Sequence, residues 1–192
     1  MTDGRTARGE ATRSALLAAS MELIGSRGAA AATQRTVAAA AGASLASTTY
    51  HFGTRAELLS ETLRHASGIA ITEIELLRDE ILAGTTDLVT ACLAYIDRQR
   101  SGASLTAAVV FELAVQASRE PDVRDASQAF VASIRSLFTP FVAPGIDLAV
   151  AQSFCGVLLF ELSRGPDSRS SELETTVRAV FDAFGVTLEV PR

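Results

Sequence analysis

The sequence predicts an all-α protein, and three observations carry that reading. Alanine and leucine dominate and β-branched runs are scarce, a composition that favours helix. Apolar residues recur at three- and four-residue intervals along most of the chain. Gly28, Gly42 and Gly84, with Pro121, Pro140 and Pro144, stand where those periodic segments end. The expected architecture is an N-terminal three-helix unit followed by a helical bundle, about nine helices in all and no strand.

The elements follow in order. Residues 1 to about 9 read as a flexible tail. Arg13 to Arg27 forms a first helix, with Leu17, Met21 and Ile24 on one face and Gly28 as its stop. Thr33 caps a second helix through Val37 to Ala41. Gly42 ends it, because glycine enters a left-handed turn without steric cost. Ser44 caps a short third helix, Leu45 to His51. "TRAE" at 54–57 is a capping box in which the Thr54 hydroxyl accepts the Glu57 amide and the Glu57 carboxylate accepts the Thr54 amide. It opens a long fourth helix reaching about Leu82. Leu88 to Arg100 follows, then Leu105 to Ser118, closed by "SREPD" around Pro121. Val123, Phe130, Ile134, Leu137, Phe138 and Phe141 form the next apolar stripe. The last two helices are Leu148 to Ser163 and Leu173 to Phe184. Leu173, Val177, Val180, Phe181 and Phe184 make the final stripe.

Composition narrows the function. Of 192 residues, 48% are apolar and 20% charged, enough to bury a substantial core. The N-terminus lacks the apolar run of a secretory signal. The longest apolar stretch, Leu148 to Phe160, is too short to span a bilayer and contains Gln152 and Ser153. A soluble, cytoplasmic protein with no membrane partner is expected. Cys92 and Cys155 lie within apolar segments and read as small buried thiols rather than a disulfide or metal pair. With two histidines, no metal-ligand cluster, no phosphate-binding glycine loop and no nucleophile–base spacing, neither an enzyme nor a cofactor is expected. Net charge is −5, yet residues 1–60 hold six arginines against four acids, which leaves −7 on the remainder. A mildly basic front end precedes an acidic body.

The segment from the second helix to the third, helix, tight glycine turn, short helix, has helix-turn-helix geometry. Spacing alone fits two short core helices equally well. The polar residues favour DNA. A first helix followed by "TQRTVAAAAGASLASTTYHFGTRAELL" resembles the DNA-binding region of TetR-type transcriptional regulators, and "FELAVQASREPDVR" is similar to a later passage of that family. Independently of the resemblance, a short helix with small and hydroxyl side chains can approach a major groove closely. Leu45, Ala46, Ser47 and Thr49 are the candidates to face bases, with Thr48 turned inward and Phe52 in the core. Thr33, Tyr50, His51, Thr54 and Arg55 are the candidates for phosphate. Leu45 stands where the family often has Lys or Arg, and Thr48-Thr49 where it often has Leu-Tyr.

Residues 1–53 are therefore read as the DNA-binding domain and 54–192 as a second domain. The resemblance implies that the second domain binds a ligand and dimerises. Tyr95, Phe111, Phe130, Ile134, Phe138 and Phe154 can line an apolar cavity or be plain core. Glu112, the only charge in "LTAAVVFELAV", can meet a ligand's polar group, a protein partner or solvent. Phe160, Leu173, Val177, Val180, Phe181 and Phe184 are the candidates for an isologous interface. The implied function is a ligand-responsive regulator, a repressor on a palindromic DNA operator as a homodimer, released by a small apolar effector. The alternative is a helical ligand-binding or scaffold protein without DNA, consistent with the negative net charge and the absence of lysine.

Overall fold

The computed structural model describes residues 3–117, 121–165 and 172–188. Among them are nine α-helices and no strand: α1 (Asp3–Arg27), α2 (Gln34–Ala40), α3 (Leu45–His51), α4 (Arg55–Leu82), α5 (Leu88–Arg100), α6 (Thr106–Ala117), α7 (Pro121–Phe138), α8 (Asp147–Ser163) and α9 (Leu173–Ala183). Short 3₁₀ turns, Ala29–Ala31 and Thr139–Phe141, follow α1 and α7. The chain divides into two compact units, Met1–Ser67 with Val109–Ser127 and Gly68–Ala108 with Gln128–Arg192, so α4, α6 and α7 each contribute to both.

In the first unit, Leu16, Leu17 and Ile24 of α1 are buried, as are Val37, Phe52, Leu58 and Leu63. The Thr62 hydroxyl donates to Ser20 Oγ at 2.9 Å, which satisfies both hydroxyls within that core. α1 starts at Asp3, inside the stretch expected to be a tail and well before Arg13. Once a helix is nucleated, each further residue adds a hydrogen bond, and no proline stops growth toward the N-terminus. The Thr12 hydroxyl also donates back to the Arg8 carbonyl at 2.9 Å.

Helix ends decide the boundaries. Thr33 and Thr36 form a reciprocal capping box at α2, and Gly42 turns the chain at φ 63°. Ser44 accepts the Ser47 amide and starts α3 where expected. At α4 only half of the expected box forms: the Glu57 amide donates to Thr54 Oγ1 at 3.0 Å, but the Glu57 carboxylate takes the Gly53 amide at 2.8 Å instead of the Thr54 amide. Gly53 has no side chain to hold that carboxylate away.

In the second unit, aromatic rings stack through the core. Tyr95 packs on Phe154, Phe154 edge-on to Phe138, and Phe138 edge-on to Phe181, with centroids 5.4–6.4 Å apart. Arg135 of α7 forks onto Asp147, the first residue of α8, through Nε at 2.7 Å and Nη2 at 3.2 Å. That guanidinium holds the Asp147 carboxyl below its ordinary value. The expected stop at "SREPD" falls partly on residues 118–120, outside the described residues, as does the Val123 side chain. No helix among the described residues is long and apolar enough to cross a membrane, and no group of ligating side chains there could hold a metal.

Asp87 caps α5: its Oδ1 accepts the Thr90 amide at 2.9 Å, and Oδ2 accepts the Thr90 hydroxyl. Both bonds favour the ionised form and lower its pKa below 3.8, the hydroxyl bond most. A depressed carboxyl contributes stability above its unfolded pKa and loses it as pH falls through the folded one. Asp87→Ala should therefore cost about 1 kcal/mol in urea unfolding at pH 7, and the gap between variant and wild type should close below pH 3.8. An unchanged gap at low pH would assign the loss to something other than the charged cap.

Candidate functional site

α2 and α3 have seven residues each and depend on their surroundings for stability. Phe52, at the C-terminus of α3, is fully buried, and the Arg13 guanidinium of α1 lies 5.6 Å from its ring centroid. The Gln34 side-chain amide of α2 donates to the Phe52 carbonyl at 2.6 Å, closing the two short helices on each other. Thr48 is fully buried and its hydroxyl donates to the Ser44 carbonyl. Inward anchoring at Thr48 and Phe52 leaves the opposite face of α3 outward.

That outward face holds Leu45, 42% exposed, with exposed Ala46 and Thr49 and half-buried Ser47. The structure thus brings the four base-facing candidates onto one short helix. The Thr49 hydroxyl donates to the carbonyls of Leu45 and Ala46 at 3.1 and 3.0 Å. Tyr50 is 85% exposed, and its ring meets His51 edge-on at 5.2 Å. Thr33 and Thr54 are exposed caps whose oxygens already serve their own helices. The first-turn amides of Gln34 and Arg35 lie outside the α2 ladder, as at any helix start.

Two candidates have contacts that the sequence did not suggest. Arg55, expected at a phosphate, donates from Nε to the Ala32 carbonyl at 3.0 Å and from Nη2 to the Ala29 carbonyl. Glu112, a candidate for a ligand's polar group, accepts the Ala29 amide at 3.1 Å and belongs to the first unit. Both hold the turn between α1 and α2. A backbone partner distant in sequence leaves no local pattern to read.

Residues 16–62, which contain these helices, match the family described as bacterial regulatory proteins, tetR family. Over this segment the chain is similar to that family. Among curated proteins no sequence matches. Solved structures are similar over nearly the full length. A TetR-family member, SCO1917 from Streptomyces coelicolor A3, is 23% identical, over 90% of this chain and 98% of that one, with TM-score 0.71. The multidrug binding protein EbrR complexed with imidazole is 23% identical, over 94% and 96%, with TM-score 0.69. EbrR complexed with malachite green is 25% identical, over 90% and 97%, with TM-score 0.64. These likenesses establish the tetR-family all-helical fold.

In the second unit, Tyr95, Phe130, Ile134, Phe138 and Phe154 are all buried, whereas Phe111 is half-buried and belongs to the first unit. Five of the six apolar pocket candidates are thus buried in one unit. Beside Tyr95 lies a polar network that the sequence analysis missed. Glu73 Oε2 accepts from Thr106 Oγ1 at 3.0 Å and from Gln99 Nε2 at 3.2 Å, and its other oxygen pairs with Arg98 at 3.1 Å. Gln99 Oε1 accepts the Ala107 amide at 3.0 Å, tying α5 to the start of α6. The legible signal was position: Gln99 continues the buried stripe Cys92, Tyr95, Ile96, and a polar residue there needs partners. The Tyr95 hydroxyl is buried beside Thr106. Burial, and then the Glu73 charge, raise its pKa well above the ordinary value. Cys92 and Cys155 are free thiols raised by burial, Cys155 to about 11.

The interface candidates separate into two groups. Val177 and Phe181 are fully buried in the core of their own unit, which corrects their place on an intermolecular face. Their stripe on α9 is satisfied within the chain, a choice that periodicity cannot make. Phe160 of α8 is 60% exposed, and Leu173, Val180 and Phe184 are half-buried. Val180 and Phe184, with Ala179, Ala183, Thr175 and Thr176, line an open groove of about 530 Å³ along α9.

Proposed function

We propose that this chain is a transcriptional repressor that binds a palindromic operator as a homodimer and releases it when a small aromatic effector enters the second domain. Residues 1–53 serve as the DNA-binding domain and 54–192 as the effector and dimerisation domain. The observation that carries the reading is α3 itself: anchored inward by Thr48 and Phe52, it leaves Leu45, Ala46, Ser47 and Thr49 facing outward, with Tyr50 at its end. In a major groove these four meet base edges, while Tyr50, His51 and the α2 and α4 caps at Thr33 and Thr54 meet phosphates. Arg55 adds its charge there while holding the preceding turn.

Dimerisation is supported by apolar residues on both sides of α8. Val150, Phe154 and Leu158 are buried, while Leu148, Leu159 and Phe160 are exposed. A helix that is apolar all round calls for cover on each face, and α9 carries an apolar-lined groove of its own. A two-fold dimer presents two copies of α3, which read successive major grooves when about 34 Å apart. The effector reading is supported by the ring stack and the buried Tyr95 hydroxyl, which together suit a flat aromatic molecule bearing a hydrogen-bond acceptor. EbrR, of the same fold, has been crystallised with ethidium and proflavin. No enzymatic step is assigned to any of these groups.

Selection of a duplex from a random pool, followed by anisotropy titration, tests the DNA reading. Tyr50→Ala and His51→Ala should weaken all duplexes alike, whereas Ser47→Ala should change preference at one base position by about 1–3 kcal/mol. An unbiased pool after selection would favour the scaffold alternative. Phe160→Glu with Val180→Glu should yield a folded monomer by sedimentation that loses bivalent binding to the palindrome; a variant that stays dimeric moves the interface elsewhere. Effector binding should be reciprocal: proflavin or another hit should bind the duplex complex about 5- to 150-fold more weakly than the free protein. Tyr95→Phe should weaken only ligands carrying an acceptor, and equal affinity with and without duplex would exclude a compound as the effector.

A further inference from the structure

α1 leaves through Gly28 at φ 77°, and the three-residue turn Ala29–Ala31 then delivers the chain to Thr33, the cap of α2. Ala29 and Ala32 are fully buried but have only a methyl to pack with. The turn is instead held by its backbone groups. Glu112 Oε1, 83 residues away in sequence on α6, accepts the Ala29 amide. The carbonyl of the same residue accepts from Arg55, which also takes the Ala32 carbonyl, and the Thr36 hydroxyl donates to the Ala31 carbonyl at 2.7 Å. We propose that Glu112 is a positioning residue for DNA binding, setting through the Ala29 amide the turn from which α2 begins. This rests on the DNA-binding reading above.

The turn abuts the α2 cap directly, so a displaced Ala29 displaces Thr33 and the first-turn amides of α2 with it. Arg55 grips the turn from the first residue of α4, so the starts of α2 and α4 are referenced to one residue, Ala29. Glu112 completes that grip from the N–H side. A carboxylate in a DNA-binding unit also repels phosphate. If charge were its only contribution, removing it would strengthen binding. Positioning has the opposite sign.

The experiment compares full-length wild type, Glu112→Ala, Glu112→Gln and Glu112→Asp on one duplex selected by the wild type from a random pool, at fixed salt. Glutamine retains an acceptor oxygen at the same reach without charge, whereas aspartate retains the charge but is one methylene short. Glu112→Ala and Glu112→Asp should bind about tenfold more weakly, with amide exchange at Ala29 accelerated. Glu112→Gln should bind at least as tightly as wild type and keep that amide protected. Should Glu112→Ala fail to fold, the Asp and Gln pair carries the comparison. Wild-type affinity in Glu112→Asp, or equal losses in Asp and Gln, would overturn the proposal. A pool from which the wild type enriches nothing would remove the DNA reading and this proposal together, an outcome distinct from any variant's behaviour.

Discussion

Two seven-residue helices cannot hold their shape alone in water, because helix nucleation costs more than so few hydrogen bonds return. The first unit is organised around that constraint. Phe52 buries its ring beneath Arg13, Thr48 turns inward, and the Gln34 amide spans from α2 to the end of α3. Each contact fixes one end or face of a helix that propensity would leave frayed. The residues left outward on α3 are then those with no structural task, and they can serve recognition.

The second unit solves a different problem. Its helices are long and apolar enough to associate without such ties, and polar side chains close several of their ends. Asp87 starts α5, Gln99 joins the end of α5 to the start of α6, and Asp147 with Arg135 fixes the start of α8. Burying the Glu73 carboxylate beside Tyr95 would be costly unless it were paired, and Arg98, Gln99 and Thr106 provide that pairing. The buried Tyr95 hydroxyl lies beside this arrangement, next to Thr106.

Much of the fold was legible because caps and glycines are local signals. Thr33, Gly42 and Ser44 placed α2 and α3, and Gly84 marked the break before α5. What escaped was any pairing across sequence distance. Glu112 looked like a polar intrusion into an apolar helix, and its partner was a backbone amide of an alanine, which no residue type advertises. Arg55 looked like a phosphate ligand because it opens a helix, yet carbonyls of the preceding turn take its donors. The α9 stripe was visible, but whether Val177 and Phe181 face their own core or another chain depends on packing and not on periodicity.

On the outward face of α3, Leu45 and Ala46 are apolar and Thr49 spends its proton on its own helix, while Ser47 adds a hydroxyl. Where such a face meets a major groove, it discriminates by the contours of methyl groups more than by hydrogen-bond pattern. Thymine is distinguished there by its C5 methyl. A cytosine methylated at C5 offers the same group in the same groove, so such a face would meet both bases through one kind of contact.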